Sequence, residues 1–575
     1  MHMKSSLLGG AAVGVILAAL ALSPADAKPA HRHAHRAAAS AGNAALRDEV
    51  KELKDEVASL QAWRDSQTSS QAQTQQQLAQ LSTQLADAET RAQSAEQRAT
   101  AAESQVQAEI QTIPGAVATQ VAANKPKTDK LYYKGVSVVL GGFAAAEGVY
   151  RSRNNVADIS SNYSKIPYNN NPLAHTDELR GTARQSRVSF LAQGDINPKT
   201  HASFYGEFDF QAGPQTANYN ESNSFSPRIR NVYGALDWED EGWHLLVGQN
   251  WSLATLNGKG VTPRNEVPPP VIDAQYVPGF AWTRQPQIRL VKDFDKTVWL
   301  AVSLENPQTT FGSAATGTGT TATGISVVNN AGCIGGCDSV NTPSFNHAPD
   351  VIGKVAFEPM IGGARPLHVE VYGLYRSFYD RVNSAAGNAA GNNVGITNVT
   401  TSGGGFGAGV TWTVVPKLLD VEGSVLTGRG IGRYGAGQLP DTIVSPNGSL
   451  APIPETMFLV GGTVHATPAL DLYVFGGEET EGSRSYLVGG KQLGYGNPNA
   501  TLAGCFVEGG TCAPDTQQIS QITAGLWDKV YNGSFGSVRV GLQYSHTDLR
   551  AFSGVGGRPA TSDDMVFTSF RYYPF

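Results

Sequence analysis

From Val136 to the C-terminus the chain keeps a two-residue beat, and that beat leaves few folds open. In HASFYGEFDFQA (201–212), Ala202, Phe204, Gly206, Phe208, Phe210 and Ala212 share one parity, and His201, Ser203, Tyr205, Glu207, Asp209 and Gln211 the other. Strand side chains alternate between faces, so this is a strand with one apolar and one charged face. VSFLAQGDI (188–196), TVWLAVSLE (297–305), LHVEVYGLYRSFY (367–379), LDLYVFG (470–476) and SVRVGLQY (537–544) repeat the pattern.

The connections alternate in length. Short ones fall at Asn197-Pro198-Lys199-Thr200, Glu239 to Gly242, Asp293 to Lys296, Pro359 to Pro366, Val415 to Lys417, Thr467 to Ala469 and Asn532 to Gly536. Long segments rich in Gly, Asn, Ser and Thr lie between them, such as 306–349 and 478–517. Seven short turns separating eight hairpins predict 16 strands. Turns on one side and long loops on the other is the arrangement of an outer-membrane barrel, with turns in the periplasm. On that reading Phe204, Phe208 and Phe210 face lipid, whereas Glu207 and Asp209 face a water-filled lumen. Phe208→Arg should then disturb assembly, and Asp209→Arg should be tolerated and raise anion preference. Composition agrees: charged residues are 16%, below the roughly 25% of soluble domains. No apolar stretch of about 20 residues follows the N-terminus, so no spanning helix is expected in the mature chain. The formal charge of −6 gives no reason to expect nucleic acid.

Residues 1–27 read as a signal peptide: Lys4, an apolar run from Leu7 to Leu22, and Ala25-Asp26-Ala27 as the cleavage site. Residues 28–45 form a basic tail with HRHAHR at 31–36, read as a solvated tail rather than a metal site. Residues 46–113 are predicted to be a periplasmic coiled coil. Val50, Val57, Leu78, Leu85, Ala92, Ala99 and Val106 occupy a positions; Leu46, Leu53, Leu60, Leu81, Ala88, Ala95 and Ala102 occupy d. A polar middle (Arg64, Gln67, Gln71, Thr74) interrupts the stripe, and Pro114-Gly115 ends it. One helix cannot bury such a stripe alone, so self-assembly follows. Residues 114–135 read as a linker and 136–575 as the barrel. The cysteines form two close pairs, Cys333 with Cys337 and Cys505 with Cys512, expected as loop disulfides. The chain ends FRYYPF, and the aromatic Phe575 fits a barrel terminus. Phe570 and Tyr572 have the opposite parity to Phe575, which suggests a bulge near Pro574.

Barrels of 16 strands leave room for an aqueous channel. Gln185-Ser186-Arg187, NVYGAL (231–236), LLVGQNWS (245–252) and RQPQIRL (284–290), in this order, give a chain that resembles the DcaP-like porins. The resemblance implies a homotrimer with an N-terminal coiled coil and passive uptake of small organic anions such as dicarboxylates. No plug domain precedes the barrel. The Pro-broken segment between Trp251 and Arg284 follows the fifth strand, where general porins fold a loop inward. Arg264, Glu266 and Asp273 are then expected near a constriction, with Arg187 and Arg289 on the opposite wall and Arg228, Arg230 and Arg284 close by. Arginine suits this role because its charge is permanent and its fork matches carboxylates. The alternative is an ordinary surface loop.

No nucleophile elbow, zinc-protease or P-loop motif occurs in a supporting context, so no enzyme, cofactor or metal is expected. Expected partners are copies of the chain, outer-membrane lipid and lipopolysaccharide, small solutes and, through the coiled coil, peptidoglycan. Two further readings stand beside the anion porin: an envelope tether, and a general or carbohydrate-type porin without anion preference.

Overall fold

The computed structural model describes residues 130–212, 226–312, 318–320, 325–328, 343–363, 365–383 and 395–575, with scattered positions between 54 and 97. The signal stretch, the His-rich tail and most of the heptad segment lie outside the described residues. The chain divides into two units, Met1–Lys127 and Thr128–Phe575. In the first, the described positions are helical, and Arg91 pairs with Asp87 one turn away at 3.2 Å.

The second unit is a closed barrel of 16 antiparallel strands. The first half comprises β1 Val136–Arg151, β2 (in two pieces, Glu178–Thr182 and Arg187–Asn197), β3 Thr200–Ala212, β4 Ser226–Trp238, β5 Trp243–Trp251, β6 Arg284–Phe294, β7 Val298–Glu305 and β8 Asp350–Phe357. The second half comprises β9 Arg365–Asn383, β10 Ile396–Val415, β11 Leu419–Arg429, β12 Pro454–His465, β13 Leu470–Glu481, β14 Thr516–Gly533, β15 Gly536–Ala551 and β16 Ala560–Tyr573. Each strand pairs with the next, and β1 closes the ring on β16 from Ala144↔Tyr572 to Arg151↔Met565. All seven short connections fall where the alternation places them. The sheet starts earlier than Val136, because Leu131–Tyr133 folds back on β1.

The two faces are inverted relative to a soluble sheet. Val188, Phe204, Ile229, Val247, Ile288, Val371, Val460, Val474 and Ile522 are all exposed on the outer wall. Arg151, Arg289, Lys354, Glu370, Arg376, Glu479 and Asp563 are all buried on the inner one. An apolar belt around a charged interior is what a barrel surrounded by lipid requires. Phe570 and Tyr572 lie on the outer parity of β16, Ser569 and Arg571 on the inner, and β16 keeps an unbroken register with β15. No bulge is needed at Pro574: the strand ends at Tyr573, before Pro574 and Phe575.

Of the two loop disulfides expected from the sequence, the described residues contain one. In loop 482–515, Cys505 is bonded to Cys512. The other expected bond, from Cys333 to Cys337, is not among the described disulfides, because Cys333 lies outside the described residues and Cys337 does too.

Candidate functional site

Loop 252–283, between β5 and β6, turns into the barrel. Its composition explains why: it carries Leu253, Ala254, Val261, Val271, Ile272, Val277 and Phe280, and each is buried. Pro268-Pro269-Pro270 prevents it from adding a regular strand. One part packs on Trp299, Ile352, Tyr372 and Leu374 of β7–β9. The other packs on Phe475, Trp527, Met565 and Phe567 of β13, β14 and β16. The loop therefore crosses the bore from wall to wall.

Hydrogen bonds fix both parts. Lys354 Nζ donates to Thr255 O at 2.8 Å and to Asn257 Oδ1 at 3.1 Å, and also meets Glu370 at 2.7 Å. Glu358 accepts from the amide of Gly260, and Glu370 from that of Asn257. On the far side, Glu479 accepts from Gly279 N at 2.7 Å, Trp527 Nε1 donates to Pro270 O at 2.7 Å, and Gln543 accepts from Ile272 N. Gly279 has φ +92°, and a Cβ there would stand 1.9 Å from Phe458 O. Only glycine fits at that crossing. A second loop, 430–453, meets the first: Trp282 Nε1 donates to Gly435 O, and Gln275 Nε2 to Ala436 O.

The arginines gather where the loop passes β3–β6. Arg228 grips Asp209 through two bonds, 2.9 and 2.7 Å. Arg230 reaches Asp209 at 3.0 Å, contacts Glu207, and donates to Tyr276 Oη at 3.4 Å. Arg284 lies over the Trp251 ring at 4.7 Å, with its Nη1 buried and unpartnered. Arg187 stacks on Phe143 at 5.3 Å, and Arg264, on the loop, lies 5.9 Å from the Tyr205 ring. Arg289 is not on an opposite wall: it sits 3.8 Å from Glu266 of the loop and also donates to Trp251 O. Asp273 turns from the arginines toward the segment between β1 and β2, accepting from Ser161 N (3.1 Å) and Tyr163 Oη (3.1 Å) there and from Gln275 N (2.9 Å) of its own loop. Six arginines (187, 228, 230, 264, 284, 289) thus face three carboxylates (Glu207, Asp209, Glu266).

Asp209 corrects the expectation that this position takes arginine freely. It is fully buried between two guanidinium groups. Arginine there would set three cations together, so Asp209→Arg should impair folding locally rather than only shift selectivity.

Tyr276 gives this cluster a pH response. Burial would push the phenol up, but Arg230, Arg187 and Arg284 outweigh it and bring it down to about 8. Its stabilisation is complete above the ordinary phenol value and is lost as pH falls through about 8. Above that pH the phenolate cancels one arginine charge, so any anion preference should weaken between pH 7 and 9. Reversal potentials across a salt gradient would show this drift, and Tyr276→Phe should flatten it.

On the turn side of the loop lies a cavity of about 550 Å³. It is roofed by Pro268–Pro270 and Tyr276 and walled by Arg187, Arg539 and Arg571 together with Asp420, Glu422 and Asp471. Sequence reasoning missed Arg539, Arg571, Lys354, Glu370, Arg376 and Glu479. Each has inward parity on β8 or a later strand, which was legible; that Lys354, Glu370 and Glu479 bond to the loop was not.

No protein-family model and no curated protein matches the chain. Among solved structures, the outer membrane channel DcaP of Acinetobacter baumannii is similar, with a TM-score of 0.53 and 18% identity. The match covers 77% of this chain and 98% of that one. An anion-selective porin from Comamonas acidovorans aligns at a TM-score of 0.41 and 10% identity, over 76% of this chain and 99% of that one. Salmonella typhi OmpF aligns at 0.42 and 10%, over 77% and 99%. The chain, a closed, 16-stranded antiparallel barrel, shares its fold with the Acinetobacter outer membrane channel.

Proposed function

We propose that the protein is an outer-membrane porin through which small hydrophilic solutes diffuse passively, favouring small organic anions such as dicarboxylates. The observation that carries this reading is the excess of arginine over carboxylate on the side of the bore where loop 252–283 passes β3–β6. A fixed guanidinium surplus at a constriction lowers the electrostatic barrier to anions and raises it for cations. The apolar outer belt supports an outer-membrane location, with turns and the N-terminal segment on the periplasmic side. The heptad stripe supports self-assembly, and a homotrimer is what the resemblance to the DcaP-like porins implies.

The test is the full-length protein in a planar bilayer under a KCl gradient. The wild type should give a reversal potential of anion sign. The double variant Arg228→Gln/Arg230→Gln removes both guanidinium groups from Asp209 and leaves Glu207 with Arg187 alone; with its heat-modifiable band checked for folding, it should cut the anion-to-cation permeability ratio by about threefold or more. A channel of cation sign in the wild type would reject the anion preference, and no channel at all would reject the porin.

A further inference from the structure

The cavity on the turn side of the loop shares Arg187 with the arginine cluster above it, but the rest of its wall is charged differently. One part of its wall is basic: Arg187 of β2, Arg539 of β15 and Arg571 of β16. Arg571 stacks on Trp527 at 4.6 Å and bonds to Glu147 at 2.8 Å. Arg539 lies 4.9 Å from the Tyr573 ring. Neither Arg187 nor Arg539 forms an ion pair among the described residues, and the Nε of each is buried without a partner. Stacking holds a guanidinium flat while leaving its edge of N–H donors free for a carboxylate.

Another part of the wall is acidic. Glu422 of β11 is 8% exposed, and its Oε1 is buried with no hydrogen bond. Asp420 and Asp471 flank it, clasping His465 at 3.0 and 2.6 Å. Buried polar atoms left unpaired on both sides of one cavity are costly unless something fills the gap. A simple anion would satisfy the arginines and leave Glu422 uncompensated. A solute carrying a carboxylate at one end and an ammonium at the other would satisfy both.

We propose that this cavity is a binding station for zwitterionic solutes, with Arg539 and Arg187 taking the carboxylate and Glu422 the ammonium. The proposal rests on the porin reading, and adds to it a selectivity set below the loop rather than at it. Matched six-carbon probes separate the two: 6-aminohexanoate, adipate and hexanoate.

Osmotic swelling of vesicles holding the full-length protein would be compared for wild type, Glu422→Gln and Arg539→Gln, with the heat-modifiable band checked for each. Glu422→Gln should slow 6-aminohexanoate relative to adipate by about fivefold, while Arg539→Gln should slow both. A ratio of 6-aminohexanoate to adipate unchanged by Glu422→Gln overturns the station while leaving the porin standing. No swelling with any solute overturns the porin itself.

Discussion

Arg376→Met is expected to destabilise the barrel by about 3–5 kcal/mol, the cost of leaving buried carboxylates without their cation. Arg376 is 1% exposed on β9. Its Nε donates to Asp350 at 3.1 Å, and its Nη1 to Asp441 at 2.6 Å and to Gly430 O. Asp350 also accepts from Tyr434 Oη at 2.9 Å, and Asp441 from the amides of Thr310 and Arg433. This one guanidinium therefore ties β8 and β9 to loop 430–453, which in turn meets the loop crossing the bore. Methionine keeps much of the volume but supplies no charge, so Asp350 and Asp441 would face each other's repulsion in a dry setting with only Arg433, 3.8 Å from Asp350, to offset it. Arg376→Lys retains the charge and loses the fork, and should fall between. The measurement is the urea midpoint at which the folded, fast-migrating band is lost. A shift of less than about 1 kcal/mol for Arg376→Met would mean that water already reaches the pair.

Phe204→Arg should cost barrel stability, up to the about 2–4 kcal/mol that arginine costs on a lipid face at mid-membrane. Phe204 is 44% exposed on the outer wall, with its ring 5.7 Å from that of Phe190 on β2. Its neighbour Ser203 has the inner parity. Ser203→Asn should therefore change stability by no more than about 0.5 kcal/mol. Equilibrium unfolding in lipid vesicles reads both. Two adjacent residues with opposite sensitivities are a signature of lipid outside and water inside. Equal, small effects at both positions would place this face in water.

What the sequence determined by itself is the wall. Alternation is a local property: a strand's faces follow from the two-residue period, and HASFYGEFDFQA shows its inner and outer sides without any partner. Turn length is local too, so Asn197-Pro198-Lys199-Thr200 and its six counterparts fix the antiparallel order and the 16 strands. The arginines at 187 and 289 were legible as inward-facing for the same reason, whereas the parity of 228, 230 and 284 was not.

Only the tertiary structure decided what fills the wall. Parity states that a side chain points inward, but not at what height or toward which neighbour. Closing the ring brings Glu147 of β1 to Arg571 of β16, which are 424 positions apart in the chain. Folding loop 252–283 inward brings Gly279 to Glu479, 200 positions away. Asp273 looked equivalent to Glu266 in sequence, yet it turns to Tyr163 and Ser161 from another loop, while Glu266 meets Arg289. Asp209 looked like a bare lumen charge and is a buried clamp, because β4 sets Arg228 and Arg230 against it. Such pairings depend on the angle around the barrel and the depth along its axis, and both exist only once the sheet has closed.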